Sequence, residues 1–252
     1  VHSLWTGVEK AMGPALIAHP VPFTNGKGVF RGPLGDWVAA MMLHFSFDFP
    51  RVQQQQRDKK WEVFYSKSLA GQTLGVVGYG GLGSGAAERA KQFGMKVLAY
   101  RRNPAKFSPD GVVDQTFGPG QLNEMIGQSD FLLLATPLTP ETKGMIGREQ
   151  IAAMKSNAVV INIGRGAVID EPALVDALRD HKIRGAALDV FVTEPLPQDH
   201  PFWTLPNVFV SPHTADRVEG FTVPAVECFL ENLRRFRAGE PLLNLVDKSA
   251  GY

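Results

Sequence analysis

Two hydrophobic patterns divide the chain. From Thr73 onward, short apolar runs alternate with segments of helical spacing. Thr73–Val77 (TLGVV), Lys96–Tyr100 (KVLAY), Phe131–Ala135 (FLLLA), Ala158–Ile163, Ala186–Phe191 and Asn207–Val210 read as strands. Leu82–Phe93, Gln121–Ile126, Glu149–Met154 and Glu171–Asp180 read as the helices between them. Gly94 ends the first helix; Asp170 is placed as N-cap of the last, with Pro172 in its first turn, where a missing N–H costs little. The runs are continuously apolar and do not alternate, as expected of parallel strands covered on both faces. Strand and helix in alternation predict an α/β chain with a doubly wound parallel sheet.

The flanks are helical. Leu34–Phe47 is strongly apolar, and Arg51–Trp61 reads as its continuation in polar form. A helix hydrophobic on most sides needs a partner subunit or a deep core. Val223, Val226, Leu230 and Leu233 recur at steps of three and four, so Val223–Arg237 is an amphipathic helix, ended by Gly239 and Pro241. Two helical flanks around one α/β unit suggest a second domain built from both ends of the chain. The crossings are expected near Ser66–Gly71 and Pro212–Glu219.

Composition removes several function classes. The 252 residues carry 26 Lys+Arg against 25 Asp+Glu, so there is no basic field to draw nucleic acid or an acidic membrane, and neither is expected as a partner. The single cysteine, Cys228, cannot form an internal disulfide and excludes cysteine-based zinc sites and CxxC redox chemistry. The six histidines are scattered, and no metal is expected. No apolar run approaches the roughly 18 residues of a membrane span. A soluble, cytoplasmic chain is the expectation.

Gly78-Tyr79-Gly80-Gly81-Leu82-Gly83 fits G-x-G-x-x-G between an apolar strand and a helix. The first glycine permits the tight turn, the second lets a pyrophosphate approach the backbone, and the third lets helix and strand pack closely. Free N–H groups and the positive helix end hold the anion. A ligand-free glycine turn is the plain alternative; the strand–turn–helix setting favours a dinucleotide and the Rossmann form of the fold. The next strand then indicates which dinucleotide. An NAD site usually offers Asp or Glu about 20 residues on. Here the strand runs into Arg101-Arg102, with no carboxylate. Two guanidiniums suit a 2′-phosphate, so NADP(H) is expected, with NAD possible.

Three further segments stand just past apolar strands: Asn162–Gly166, Leu188–Pro195 and Ser211–Ala215. Separately, Arg165 could be a loop cation, Glu194 a solvated turn and His213 a capping residue. Together, after a dinucleotide turn, they form a plausible hydride-transfer site. With Phe93-Gly94-Met95, Thr136-Pro137-Leu138-Thr139-Pro140-Glu141-Thr142 and the Asn162–Glu171 block, the sequence resembles the D-isomer-specific 2-hydroxyacid dehydrogenases. That resemblance implies that Arg165 binds a substrate carboxylate and polarises the carbonyl. It implies His213 as acid/base with Glu194 as its partner, and Asp189 as a cofactor contact near the nicotinamide. With the glycine turn (Gly78, Gly80, Gly81, Leu82, Gly83) and the Arg101-Arg102 pair read above, it further implies that Thr136, Pro137, Thr142, Ile163, Gly164 and His213 contact the cofactor. The substrate implied is a small 2-keto or 2-hydroxy acid, glyoxylate or hydroxypyruvate favoured, and the assembly a homodimer. The physics agrees: reduction of a 2-keto acid sends hydride to carbon while the growing alkoxide needs a proton, which a histidine oriented by a carboxylate can supply. Glu194 argues against the formate dehydrogenase branch, where Gln is expected.

Departures matter too. Family members are commonly longer at the amino end, and His2–Lys10 resembles the segment just after the first substrate-domain strands. The expectation is therefore a truncated, discontinuous substrate domain. Residues 1–68 would be its remainder plus a connecting helix, 69–215 the dinucleotide-binding domain, and 216–252 a helix returning to the substrate domain. Gly35-Asp36 stands where Ala-Glu is usual, and Arg101 where an acidic residue is common. Two other readings stay open: a dinucleotide-sensing binding protein like the co-repressors that share this fold, and a catalytically inactive fragment.

Overall fold

The computed structural model describes residues 1–8, 11–106 and 110–249. Glu9 and Lys10 of the amino-terminal segment, and the last three residues of the 216–252 stretch, lie outside them. The elements run α1 (Pro14–Ala18), α2 (Arg31–Ser46), α3 (Phe49–Arg57), β1 (Thr73–Val77), α4 (Gly81–Gln92), β2 (Lys96–Tyr100), β3 (Gln115–Phe117), α5 (Leu122–Gln128), β4 (Phe131–Leu134), α6 (Arg148–Ala152), β5 (Val159–Asn162), α7 (Glu171–Arg179), β6 (Gly185–Leu188), β7 (Val208–Val210) and α8 (Thr222–Ala238).

The seven strands form one sheet in the order β3-β2-β1-β4-β5-β6-β7, every pair parallel. The chain reverses its winding between β1 and β4, and a doubly wound sheet binds ligands in the crevice outside that reversal. β1, β4, β5 and β6 are buried along their whole length. That burial is why their sequences are unbroken apolar runs. One face carries α5, α6 and α7, with Met125, Ile151 and Leu174 against Leu132 and Val160. The other carries α2 and α4, with Val38, Met42 and Phe45 against Val76, Ala86 and Leu133.

Residues 1–68, expected as the remainder of a substrate domain and a connecting helix, pack in two places. The apolar α2 is buried within the chain itself, lying on one face of the sheet against α4. The approach is close: a Cβ on Gly35 would come within 2.8 Å of the Gly85 carbonyl oxygen. A small separate cluster, Val8, Phe23 and Val246 with Met12 and Leu16, joins the two ends of the chain into a second lobe.

Other differences have local causes. The helix expected to continue through Trp61 breaks at Asp48, in the left-handed region with φ 51°, and stops at Arg57. Trp61 stands 96% exposed beyond it. The sixth strand ends at Leu188 rather than Phe191 because Asp189–Phe191 turn into the site. Asp170 caps α7 as expected, accepting from the Ala173 N–H at 3.0 Å. α8 ends at Gly239 with φ 67°, yet its apolar stripe is open: Val223, Val226, Leu230 and Leu233 are all exposed. No helix among the described residues is long and apolar enough to cross a membrane.

Candidate active site

A cleft of about 630 Å³ lies at the carboxyl ends of β1, β2, β4 and β5, lined on the other side by residues 6–8 and by Asn25, Lys27 and Gly28. Its size falls in the roughly 300–1,000 Å³ range of cofactor and small-molecule sites. The sheet determines what each wall offers. At the end of β1, Gly78 turns with φ 94°, and a Cβ there would strike Thr136 Cγ2 at 2.7 Å and the Ala135 carbonyl oxygen at 2.9 Å. Gly80 faces open space. Gly83 is spoken for by packing, since a Cβ would meet the Gly78 carbonyl oxygen at 2.3 Å. Gly80, the residue before α4, has no side chain with which to cap it, so the positive helix end is presented to the cleft.

The residues present fit a dinucleotide. Thr136 lines the cleft, and its Oγ1 is buried without a hydrogen-bond partner; a buried hydroxyl left so has a donor and acceptor to offer a ligand. Arg101 and Arg102 line the end of the cleft beyond β2. The Arg101 backbone is fixed by its N–H to Phe117 O at 2.9 Å, and its guanidinium lies 5.9 Å over the Tyr79 ring. Burial, then the hydrogen bond to Asp110, pushes the Tyr79 phenol up, so it stays a donor. Glu141 stands nearby: a hydrogen bond from Thr139, and then the Arg102 charge, hold its carboxyl below the usual range.

The Arg165 loop is held from below. Asn162, 1% exposed, accepts from the Gly164 N–H at 3.0 Å and donates through Nδ2 to Arg165 O at 3.1 Å. Gly166 sits directly under the next strand's turn: a Cβ there would fall 1.9 Å from the Phe191 carbonyl carbon. This contact seats Arg165 beside the Glu194 turn. Glu194 Oε1 accepts from the Phe191 N–H at 3.0 Å, and Oε2 lies 2.8 Å from His213 Nδ1. Burial pushes the Glu194 carboxyl up, but the His213 and Phe191 hydrogen bonds and the His213 and Arg165 charges outweigh it and hold it below the usual carboxylate range. With Nδ1 on the carboxylate, the His213 Nε2 is left for a ligand. His213 itself is in the left-handed region, φ 53°, a strained conformation found most often where function demands it.

Asp189 explains why the loop tolerates that strain. It is 2% exposed, and its Oδ1 accepts from Ser211 Oγ, from Thr214 N at 2.9 Å and from Ala215 N at 3.2 Å. Its main-chain oxygen accepts from the His213 N–H at 2.9 Å. The structure places Asp189 beneath His213, as the anchor of that loop. Ile163, 5% exposed, is likewise in the core under the cleft. Gly78, Gly80, Gly81, Leu82, Arg101, Arg102, Thr136, Pro137, Thr142, Gly164 and Arg165 all line it. His213 and Glu194 stand together beyond the Arg165 end. The sequence reading missed Tyr79, Glu141 and, on the opposite wall, Asn25 and Lys27. The Gly26-Lys27-Gly28 triplet was the available signal, a cation between two residues that permit close approach. Among the described residues no group of three or more His, Cys, Asp or Glu side chains could hold a metal.

Comparison with known proteins identifies the family. The model of the D-isomer specific 2-hydroxyacid dehydrogenase NAD binding domain matches residues 39–215. D-3-phosphoglycerate dehydrogenase of Methanocaldococcus jannaschii is 38% identical over 246 residues, 95% of this chain and 45% of that protein. Glyoxylate reductase of Korarchaeum cryptofilum is 37% identical over 234 residues, 89% of this chain and 69% of that one. The chain thus spans less than half of the first relative's length. Among solved structures, the NADPH-dependent glyoxylate/hydroxypyruvate reductase of Sinorhizobium meliloti, in complex with NADP and sulfate, superposes with a TM-score of 0.90 at 31% identity. The superposition covers 100% of this chain and 79% of that one. A 2-hydroxyacid dehydrogenase of Xanthobacter autotrophicus in complex with NADPH and MES gives 0.88 at 35%, covering 100% and 78%.

Proposed function

Because the chain belongs to the D-isomer-specific 2-hydroxyacid dehydrogenases, we propose that it reduces a small 2-keto acid, glyoxylate or hydroxypyruvate, with NADPH. The observation that carries the reading is the 2.8 Å pair between His213 Nδ1 and Glu194 Oε2, set beside the Arg165 loop. The cofactor, when bound, supplies the hydride. Arg165 offers a planar fork matched to the substrate carboxylate, and its charge draws electrons from the adjacent carbonyl. His213 gives the proton to the oxygen from Nε2, while Glu194 keeps the ring turned and balances its charge. In the oxidative direction the same nitrogen takes the proton back. Arg101 and Arg102 support the preference for a 2′-phosphate, in keeping with the NADP and NADPH named in the complexes of the structural relatives.

The reading extends to a homodimer, supported by the apolar side chains of Trp61, Val63 and Tyr65, which are 83–100% exposed, and to a cytoplasmic setting, supported by the lone cysteine. Sedimentation tests the first. The catalytic reading is tested by following the absorbance of the reduced nicotinamide with glyoxylate, hydroxypyruvate and pyruvate. His213→Ala should cost on the order of 10²–10⁴ in turnover. A His213→Ala protein that keeps its full rate ends the mechanism.

A further inference from the structure

The glycine turn faces its anion with main-chain groups alone, for Gly78–Gly83 carries no cationic side chain. Among the described residues four cations line the cleft. Arg101 and Arg102 stand at its far end and Arg165 at the substrate end. The fourth is Lys27, and it comes from the opposite wall. Arg31, the next cation along the chain, is paired with Glu88.

Lys27 is placed with unusual firmness for an exposed lysine. Its N–H donates to Asn25 Oδ1 at 3.2 Å, and its carbonyl oxygen accepts from Asn244 Nδ2 at 2.8 Å. Asn25 is 6% exposed and tied in turn to Thr6 O at 2.8 Å. Gly26 lies so close under the amino-terminal segment that a Cβ would come within 2.4 Å of the Leu4 carbonyl oxygen. The neighbouring Gly28, at φ 92°, rests against Gly81, the first residue of α4: a Cβ on Gly81 would lie 3.7 Å from the Gly28 Cα. Lys27 is thus held at the wall facing the start of that helix. No carboxylate of the described residues pairs with its ammonium.

A pyrophosphate carries two negative charges, and a helix end answers with about half a positive one. We propose, on the dinucleotide reading given above, that Lys27 supplies the missing side-chain cation for the cofactor's pyrophosphate. A lysine suits the task as a compact, strongly hydrated point charge on a flexible stem. Because it belongs to the lobe made from the chain's ends, the contact ties that lobe to the cofactor.

Fluorescence titration with NADPH, without substrate, tests this directly. Lys27→Met should raise the Kd about ten-fold or more and flatten its salt dependence; Lys27→Arg should restore most of the loss. The keto-acid KM at saturating NADPH should move far less than the Kd. Lys27→Gln, with thermal melts of all variants, separates a lost contact from a lost fold. An unchanged NADPH Kd in both neutral variants overturns the proposal, and so does a loss confined to the keto-acid KM, which would give the lysine to the substrate. Failure of the unsubstituted chain to bind NADPH removes the dinucleotide reading itself and is seen before any substitution is made.

Discussion

Gly166→Ala isolates one contact on which the site depends. Gly166 opens a short 3₁₀ turn and has no positive φ, so alanine suits its backbone. By conformation alone the change should stabilise the protein by about 0.4–1 kcal/mol. Packing says the opposite. The added methyl would stand 1.9 Å from Phe191 C, 2.3 Å from its oxygen and 2.3 Å from Val192 N. All three are main-chain atoms, and they belong to the turn that carries Glu194. Restoring ordinary contact needs a shift of more than about 1 Å between the two segments. Forcing volume into such a seam costs typically about 1–3 kcal/mol, so after the backbone gain the net should be a loss of roughly 1–2 kcal/mol. In a chain of this size that is a fall in Tm of about 2–8 °C. The shift also separates Arg165 from His213 and Glu194, and a displacement near 1 Å can cost on the order of 100-fold in rate. Thermal unfolding followed by circular dichroism, with kcat for a keto acid, reads both effects. A variant that melts higher than the parent and turns over at the parent rate refutes the account of how Arg165 is held beside its partners.

Replacing both Arg101 and Arg102 with alanine should narrow the NADP/NAD ratio of cofactor Michaelis constants by about 10–100-fold, the range of one charge-assisted contact; an unchanged ratio would remove the 2′-phosphate assignment. Glu194 has its carboxyl held below the ordinary value, so it contributes stability above that value and loses it as the pH falls. His213 and Glu194 are 45% and 35% exposed, so solvent keeps the contribution below about 1 kcal/mol. The difference in unfolding free energy between the parent and Glu194→Gln should be present at pH 7 and fade below about pH 4.3; a constant difference down to pH 3 counts against the pairing.

The sheet was legible wherever burial was two-sided. β1, β4, β5 and β6 must be apolar at every position, and unbroken runs cannot be disguised. β3 was not legible, because Gln115–Phe117 is a three-residue edge strand whose first two side chains are polar and partly open. The break at Asp48 escaped because aspartate tolerates the left-handed region without needing glycine; Pro50, in the first turn of the following helix, was the usable sign. In the site, residue type and position past a strand were enough to single out Arg165, Glu194 and His213. The depth of Asp189 was not available, since it is decided by the Ser211–Ala215 loop folding back over it from a distant part of the chain. For Lys27 the flanking Gly26 and Gly28 were a usable sign of close approach, but the wall it faces is decided by the bonds of its segment to Thr6 and Asn244, distant in the chain.

The strand order has a bearing on how the protein is made. β1 lies between β2 and β4, so on the ribosome one of its edges stays open until Phe131 has been synthesised and can pair with Leu74. Until then the nascent half-sheet exposes a template for the wrong neighbour. The same delay falls on the phosphate-binding turn. Gly78 takes its shape against Ala135 and Thr136, which arrive with the far end of β4. The turn that would receive a pyrophosphate is therefore completed only once β4 has been made.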